Sequence, residues 1–280
     1  MKKAINAWSF PAEYTFEECV SAAKNAGFDA IEFNLDAENV GHSITLDTTK
    51  EELLRIKELC DLAGLKVLSI SSSLHNFRWA VTAPDEISYV HNVLEKQIIA
   101  AHTLGAGTVL VVPGGMKDGM LLSESRRNSI ANLKAALPII EKYGVCVGVE
   151  NVVNQFFTSP YDMLSFVDEI DSPLVKIYLD LGNMMAFSYP EYWCDVLCGK
   201  IAKIHIKDVK RLDQYRGRQG VPLLEGDLNY PLVMSILKKN GFDGYLTAEV
   251  SNYKSLPTEE FLRSISDAED KILEYYNSAL

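Results

Sequence analysis

Lys176–Asn183 reads "KIYLDLGN". Four residues suited to a buried strand, Lys176-Ile177-Tyr178-Leu179, run into a carboxylate, Asp180, and then into a Gly turn. A charge where a strand leaves the core needs a partner or a purpose. Three other apolar runs end or break in the same way: "VCVGVEN" at Glu150, "IAKIHIKD" at His205 and "GYLTAEVS" at Glu249. The meaning of the four runs depends on whether these side chains meet.

Working outward, short β-rich runs alternate with amphipathic stretches along the whole chain. The runs fall near 4–10, 30–35, 66–73, 108–112, 145–150, 175–180, 201–206 and 244–250. Between them, "TFEECVSAAKNAG" opens on Thr15 with an early glutamate and closes on Gly27, the chemistry of an N-cap and a C-cap. Further stretches close on Gly64, Gly105 and Gly144, the last with a kink expected at Pro138. Strand-then-helix units repeated eight times predict a parallel sheet covered by helices, and in this length a closed (β/α)₈ TIM barrel, one domain over 1–280. No G-x-G-x-x-G follows the first run, which weakens a dinucleotide-binding reading.

Bulk properties narrow the classes. The 27 Lys and Arg against 38 Asp and Glu give a net charge of −11, which opposes binding to nucleic-acid backbones. No apolar run reaches the roughly 20 residues of a membrane span, and "MKKAINAWSFPAEYTFEE" turns acidic too early for a signal peptide. The five cysteines are odd in number and lie in apolar or helical patterns. Cys194 and Cys198 have no further Cys/His cluster to complete a zinc site, so reduced thiols and a cytoplasmic location are expected.

Barrel active sites form where strands end at their C-terminal rim. Glu150, Asp180, His205 and Glu249 stand there on four consecutive strands. Each alone has a plain structural explanation: Asp180 as a turn former, His205 as a core histidine, Glu249 as a solvated strand end. Together, three carboxylates without a cation would repel until one protonated. One imidazole with three carboxylates suits a single divalent ion, with Mn²⁺ first and Mg²⁺, Co²⁺ or Zn²⁺ as alternatives.

The stretches "VGVENV", "IYLDLGNM", "KIHIKDVKR" and "LLEGDLNYPLVMSILKKNGFDGYLTAEV" resemble the xylose-isomerase-like TIM-barrel family of sugar phosphate isomerases and epimerases. That family includes ketose 3-epimerases of the D-tagatose 3-epimerase type and L-xylulose/L-ribulose-5-phosphate 3-epimerases. The likeness spans most of the chain and is strongest from about Pro113 to Val250. It implies Glu150, Asp180, His205 and Glu249 as metal ligands, with Glu150 and Glu249 also the acid/base pair. The implied reaction removes a proton next to the carbonyl of a ketose or ketose phosphate, passes through a cis-enediolate and reprotonates. Return of the proton to the adjacent carbon would instead isomerise. A leaving group β to the carbonyl would make the enzyme a lyase or dehydratase acting on a 3-keto sugar or polyol acid.

The resemblance also implies that Arg211, six residues after His205, contacts substrate; as plain sequence, "KDVKR" equally reads as a solvated basic loop. Asn183 stands where the ketose 3-epimerases carry a histidine, and Phe156 and Phe157 occupy the region of their substrate-binding glutamate. His75 after run three and Trp8 at the end of run one are further substrate-contact candidates, each with a structural alternative. Glu32 in "AIEFNL" faces the barrel or the helices depending on register. "VVPGG" at 111–115 is a phosphate-loop candidate or a tight turn, with Lys117, Arg126 and Arg218 as candidate phosphate partners. A multi-metal endonuclease is disfavoured by the small histidine count, by Asn183 and by the charge. A metal-dependent sugar-binding protein without turnover, or a homo-oligomer of either kind, remains compatible with the chain.

Overall fold

Period-two alternation decides how the opening stretch folds. Val175, Ile177 and Leu179 pack outward into the main hydrophobic core, while Tyr178 joins a separate inner cluster with Leu110 and Val112. The computed structural model describes residues 1–37, 40–115, 119–212 and 217–279. Among them, eight parallel strands close a barrel: β1 (Lys2–Asn6), β2 (Ala30–Leu35), β3 (Lys66–Ser72), β4 (Thr108–Val111), β5 (Cys146–Glu150), β6 (Val175–Asp180), β7 (Ile201–Ile206) and β10 (Tyr245–Ala248). The ring runs β1-β10-β7-β6-β5-β4-β3-β2 and closes through β1 and β2.

The expected runs match these strands with two corrections. Run one, read as 4–10, is a strand over Lys2–Asn6 followed by a 3₁₀ turn at Ala7–Ser9. Asn6 caps that turn by accepting from the Trp8 N–H, so local side-chain bonding ends the strand early. Run eight ends at Ala248, which puts Glu249 one residue past the strand, although its N–H still bonds the Ile206 carbonyl at 3.0 Å.

Helices α1 (Phe16–Ala26), α2 (Lys50–Ala63) and α3 (Pro84–Leu104) end on Gly27, Gly64 and Gly105. Thr15 and Thr49 form capping boxes with Glu18 and Glu52. The stretch closing on Gly144 is two helices, α4 (Leu122–Ala135) and α5 (Leu137–Tyr143). Pro138 sits in the first turn of α5, where its missing N–H costs no bond, so the expected kink becomes a break. Four more helices, α6 (Pro160–Ile170), α7 (Pro190–Leu197), α8 (Tyr230–Lys239) and α9 (Thr258–Ser278), complete the outer layer.

The hairpin β8 (Asp208–Arg211) and β9 (Arg218–Val221) is an addition to the plain barrel. Its first strand forms from "KDVKR", which reads as a loop. Asp208 stabilises its base by accepting the N–H groups of Val209 and Gly226.

Most of the apolar core lies between strands and helices, while the barrel interior is polar in its upper half. Asn6, Glu32, Asn34, Ser69 and Ser71 are buried there with Tyr178 and His205. The "VVPGG" segment is a packing turn. Gly114 donates to Ser129 Oγ at 3.1 Å, and a side chain on Gly115 (φ +154°) would collide with the Phe77 carbonyl. All five cysteines are free, and no helix among the described residues is long and apolar enough to cross a membrane.

Candidate functional site

Strand register brings the four expected residues together. Asp180 pairs directly with His205 across β6 and β7, Glu150 ends β5, and the bond from Glu249 to Ile206 holds that residue at the top of β7. One ligand atom from each of Glu150, Asp180, His205 and Glu249 lies within 4.8 Å of the others. His205 Nδ1 sits 3.1 Å from Glu150 Oε1 and 3.4 Å from Glu249 Oε2, so the two glutamates both face this ring nitrogen. Glu150, Asp180 and His205 are buried, while the Glu249 side chain keeps 23% exposure.

The donor set fits a divalent cation. Asp180 Oδ1 accepts the N–H groups of Gly182 (2.8 Å) and Asn183 (2.7 Å), which leaves buried Oδ2 without a backbone donor and facing charge alone. A carboxylate oxygen left bare inside a protein is stable only opposite a cation. Lys207 stands there: its Nζ lies 2.9 Å from Asp180 Oδ2 and donates to Glu249 Oε2 at 2.6 Å. Sequence reading missed Lys207. The signal was present, since Lys203, His205 and Lys207 alternate along one line and the residue two past His205 faces the same rim. Gly182 leaves room for it, because a side chain there would run into the Lys207 chain.

Glu32 is the residue whose facing the sequence left open. It points inward and forms a hub: His205 Nε2–H donates to Oε1 at 2.6 Å, Tyr178 OH and Ser69 Oγ donate to Oε2 at 2.6 and 2.5 Å, and Asn6 Nδ2 donates to Oε1 at 2.5 Å. Burial alone would raise this carboxyl, but the His205 charge and these bonds hold it down at about 2. By keeping a proton on Nε2, Glu32 aims Nδ1 at the rim, as carboxylate partners of metal-binding histidines do. The apolar outward neighbours Ile31, Phe33 and Leu35 were the clue to its register.

Burial pushes Glu150 up to about 7, aided by Glu249 and Asp180 and opposed by His205. His205 is raised well above its ordinary value: burial opposes the charge, but Glu32, Glu150 and Glu249 outweigh it. Both groups hold protons when folded that they release when unfolded. Their contribution is complete below the unfolded values and is lost as pH rises. Metal-free protein is therefore expected to lose thermal stability as pH climbs from about 4.5 through 7, the Glu150 window, with the His205 contribution lost at higher pH still. Melting in chelator-treated buffer checks this, and Glu150→Gln should flatten the slope.

The remaining candidates divide. Trp8 is 39% exposed and donates its indole N–H to Asp36 Oδ2 at 2.7 Å, consistent with a wall at the rim. His75 is fully buried, bonded to Gln97 Oε1 at 2.9 Å and set edge-on to Trp79; burial lowers it to about 4. Those surroundings fit the structural alternative. Asn183 spends its amide on Asn151 O (3.1 Å) and on Arg218 (2.9 Å), so it positions neighbours. Arg211 lies over the Tyr189 ring, 3.9 Å from its centroid, and donates to Ser188 O. Arg126 pairs with Glu169 across α4 and α6, and Lys117 falls outside the described residues. Phe156 and Phe157 pack with Phe166 in a buried aromatic group.

Comparison with known proteins adds an independent line. A family model described as xylose isomerase-like TIM barrel matches residues 20–271. An L-ribulose-5-phosphate 3-epimerase of Shigella flexneri is 24% identical over 260 residues, covering 91% of this chain and 89% of that enzyme. A 2-oxo-tetronate isomerase of Haemophilus influenzae is 25% identical over 264 residues, covering 89% and 92%. The solved structure of an L-ribulose 3-epimerase shares the fold with a TM-score of 0.80 at 18% identity, covering 99% of this chain and 95% of that one.

Proposed function

Because the chain belongs to the xylose isomerase-like TIM-barrel family, we propose that its rim cluster is the active site of a divalent-metal-dependent sugar or sugar phosphate isomerase, of the ketose 3-epimerase or aldose–ketose type. The observation that carries this reading is the meeting of Glu150, Asp180, His205 and Glu249 within 4.8 Å, with both glutamates beside one histidine nitrogen. The relatives' names support an isomerase acting on a sugar-type substrate.

Asp180 Oδ2, His205 Nδ1, Glu150 and Glu249 would hold the ion, Mn²⁺ by first expectation. When bound it supplies Lewis acidity to the carbonyl and neighbouring hydroxyl of a ketose, making the adjacent C–H acidic. The chain's own groups do the rest. One glutamate takes the proton from carbon, leaving an enediolate, and the other delivers a proton to complete the inversion. Lys207 fixes Glu249 through its 2.6 Å bond and balances the carboxylates around it. Glu32 holds His205 in one orientation, and Trp8 offers an apolar face to the sugar.

The test is proton-exchange NMR in D₂O with Mn²⁺-loaded protein and a panel of ketoses, ketose phosphates and 3-keto glycosides. Deuterium entering next to the carbonyl is the expected result, and the products separate epimerase, isomerase and lyase. No exchange with any of them, despite bound metal, would favour a sugar-binding protein without turnover.

A further inference from the structure

The hairpin β8–β9 rises from the end of β7, directly after His205 and Lys207, and its register sets Arg211 opposite Arg218. Residues opposite each other in an antiparallel pair share a face, and like charges placed so destabilise the hairpin. Both side chains reach the segment that follows Asp180: Arg211 bonds Ser188 O, and Arg218 Nη2 donates to Asn183 Oδ1 at 2.9 Å. Asn183 is tied to the cluster in turn, since its N–H donates to Asp180 Oδ1 and its amide to the Asn151 carbonyl. One residue, Asn183, therefore joins the Arg218 guanidinium to an expected metal ligand.

Arg218 lacks what a half-buried guanidinium ordinarily has. Among the described residues no carboxylate pairs with it, and its buried Nε has no acceptor. Arg126, by contrast, has Glu169, and Lys3 has Asp270. Among the described residues, the side-chain partner of the Arg218 guanidinium is the neutral Asn183 amide, in a chain with 38 acidic residues. A buried charge of this kind is stable with an anion, and the guanidinium fork matches the paired oxygens of a phosphate or carboxylate.

We propose that Arg218 forms a subsite for the anionic terminus of the substrate, a phosphate monoester or a carboxylate, beside the substrate contact expected of Arg211, while the ketose end lies at Glu150 and Glu249. This assignment rests on the proposed function for the location of the reacting end. The anion subsite itself can be tested without turnover.

The direct experiment is isothermal titration of metal-stripped protein with inorganic phosphate and with malonate, on wild type, Arg218→Gln and Arg218→Lys, each checked for native melting. Saturable binding of one of the anions is expected, weakened about 10- to 100-fold in Arg218→Gln and partly restored by Arg218→Lys. The anion preferred identifies phosphate or carboxylate as the terminus. In the exchange assay, the ratio of kcat/KM for L-ribulose 5-phosphate or a 2-oxo acid sugar over free L-ribulose should fall by a similar factor in Arg218→Gln, chiefly through KM. Binding of neither anion, or equal binding by wild type and Arg218→Gln, overturns the subsite. Silence in the exchange assay with Arg218-dependent anion binding intact would overturn the proposed reaction and leave the subsite standing.

Discussion

Glu249→Gln, saturated with Mn²⁺, is expected to lose at least a hundredfold of deuterium exchange on the substrate epimer whose proton faces residue 249, and to lose epimer interconversion altogether. Glutamine keeps the size of the side chain and an oxygen directed at the cluster, but it cannot accept a proton. Positioned general acid–base groups contribute about 10²–10⁴-fold, so the drop should fall in that range. Lys207 would lose its ionic partner at Glu249 Oε2 yet keep Asp180, which limits collateral damage to the fold. Glu150→Gln should show the mirror behaviour, retaining exchange on the face that Glu249 serves. NMR of both epimers in D₂O reads each loss separately. Exchange within a few-fold of wild type in both variants would remove the two glutamates from the chemistry.

Glu32→Gln is expected to weaken Mn²⁺ binding about 10- to 100-fold, although residue 32 belongs to the supporting network. Four donors converge on the Glu32 carboxylate: the His205 ring, Tyr178, Ser69 and Asn6. An amide replaces one of the two acceptor oxygens with a donor, so at least one buried partner must turn away or go unpaired. Removing the charge also leaves a buried imidazolium short of its counter-ion, a loss on the order of 3–5 kcal/mol. Denaturant unfolding of the metal-free variant and titration of Mn²⁺ would report the two effects independently. A milder lesion, Ser69→Ala, should leave metal binding close to wild type, because Tyr178 still donates to the same oxygen. Unchanged Mn²⁺ affinity in Glu32→Gln would mean that packing alone orients His205.

The barrel and the rim quartet were legible because they depend on local rules. Apolar runs of strand length, glycine stops such as Gly27 and Gly64, and a polar residue at or near the end of four runs are visible in the linear sequence. Glu150, Asp180 and His205 gain their meaning from strand position alone. Glu32 does not: its role depends on facing inward and on meeting His205, 173 residues away. Lys207 was hidden because "IKD" reads as the loop after a strand, although the alternation continues through it. The β8–β9 hairpin was hidden for a related reason. Its strands have four residues each and carry Lys and Arg, a composition that resembles a solvated loop, and only the pairing of Asp208 with Val221 and of Arg211 with Arg218 reveals them. His75 had two readings in the sequence, and its burial against Gln97 and Trp79 fits the structural one.

The central claim is that four rim side chains act together on one ion, and a Mn²⁺ titration followed by electron paramagnetic resonance tests it most directly. One ion per wild-type chain is predicted, with Asp180→Asn losing more affinity than the 10- to 100-fold expected of a supporting residue. Binding of no Mn²⁺ by wild type, or equal binding by Asp180→Asn, would contradict the account.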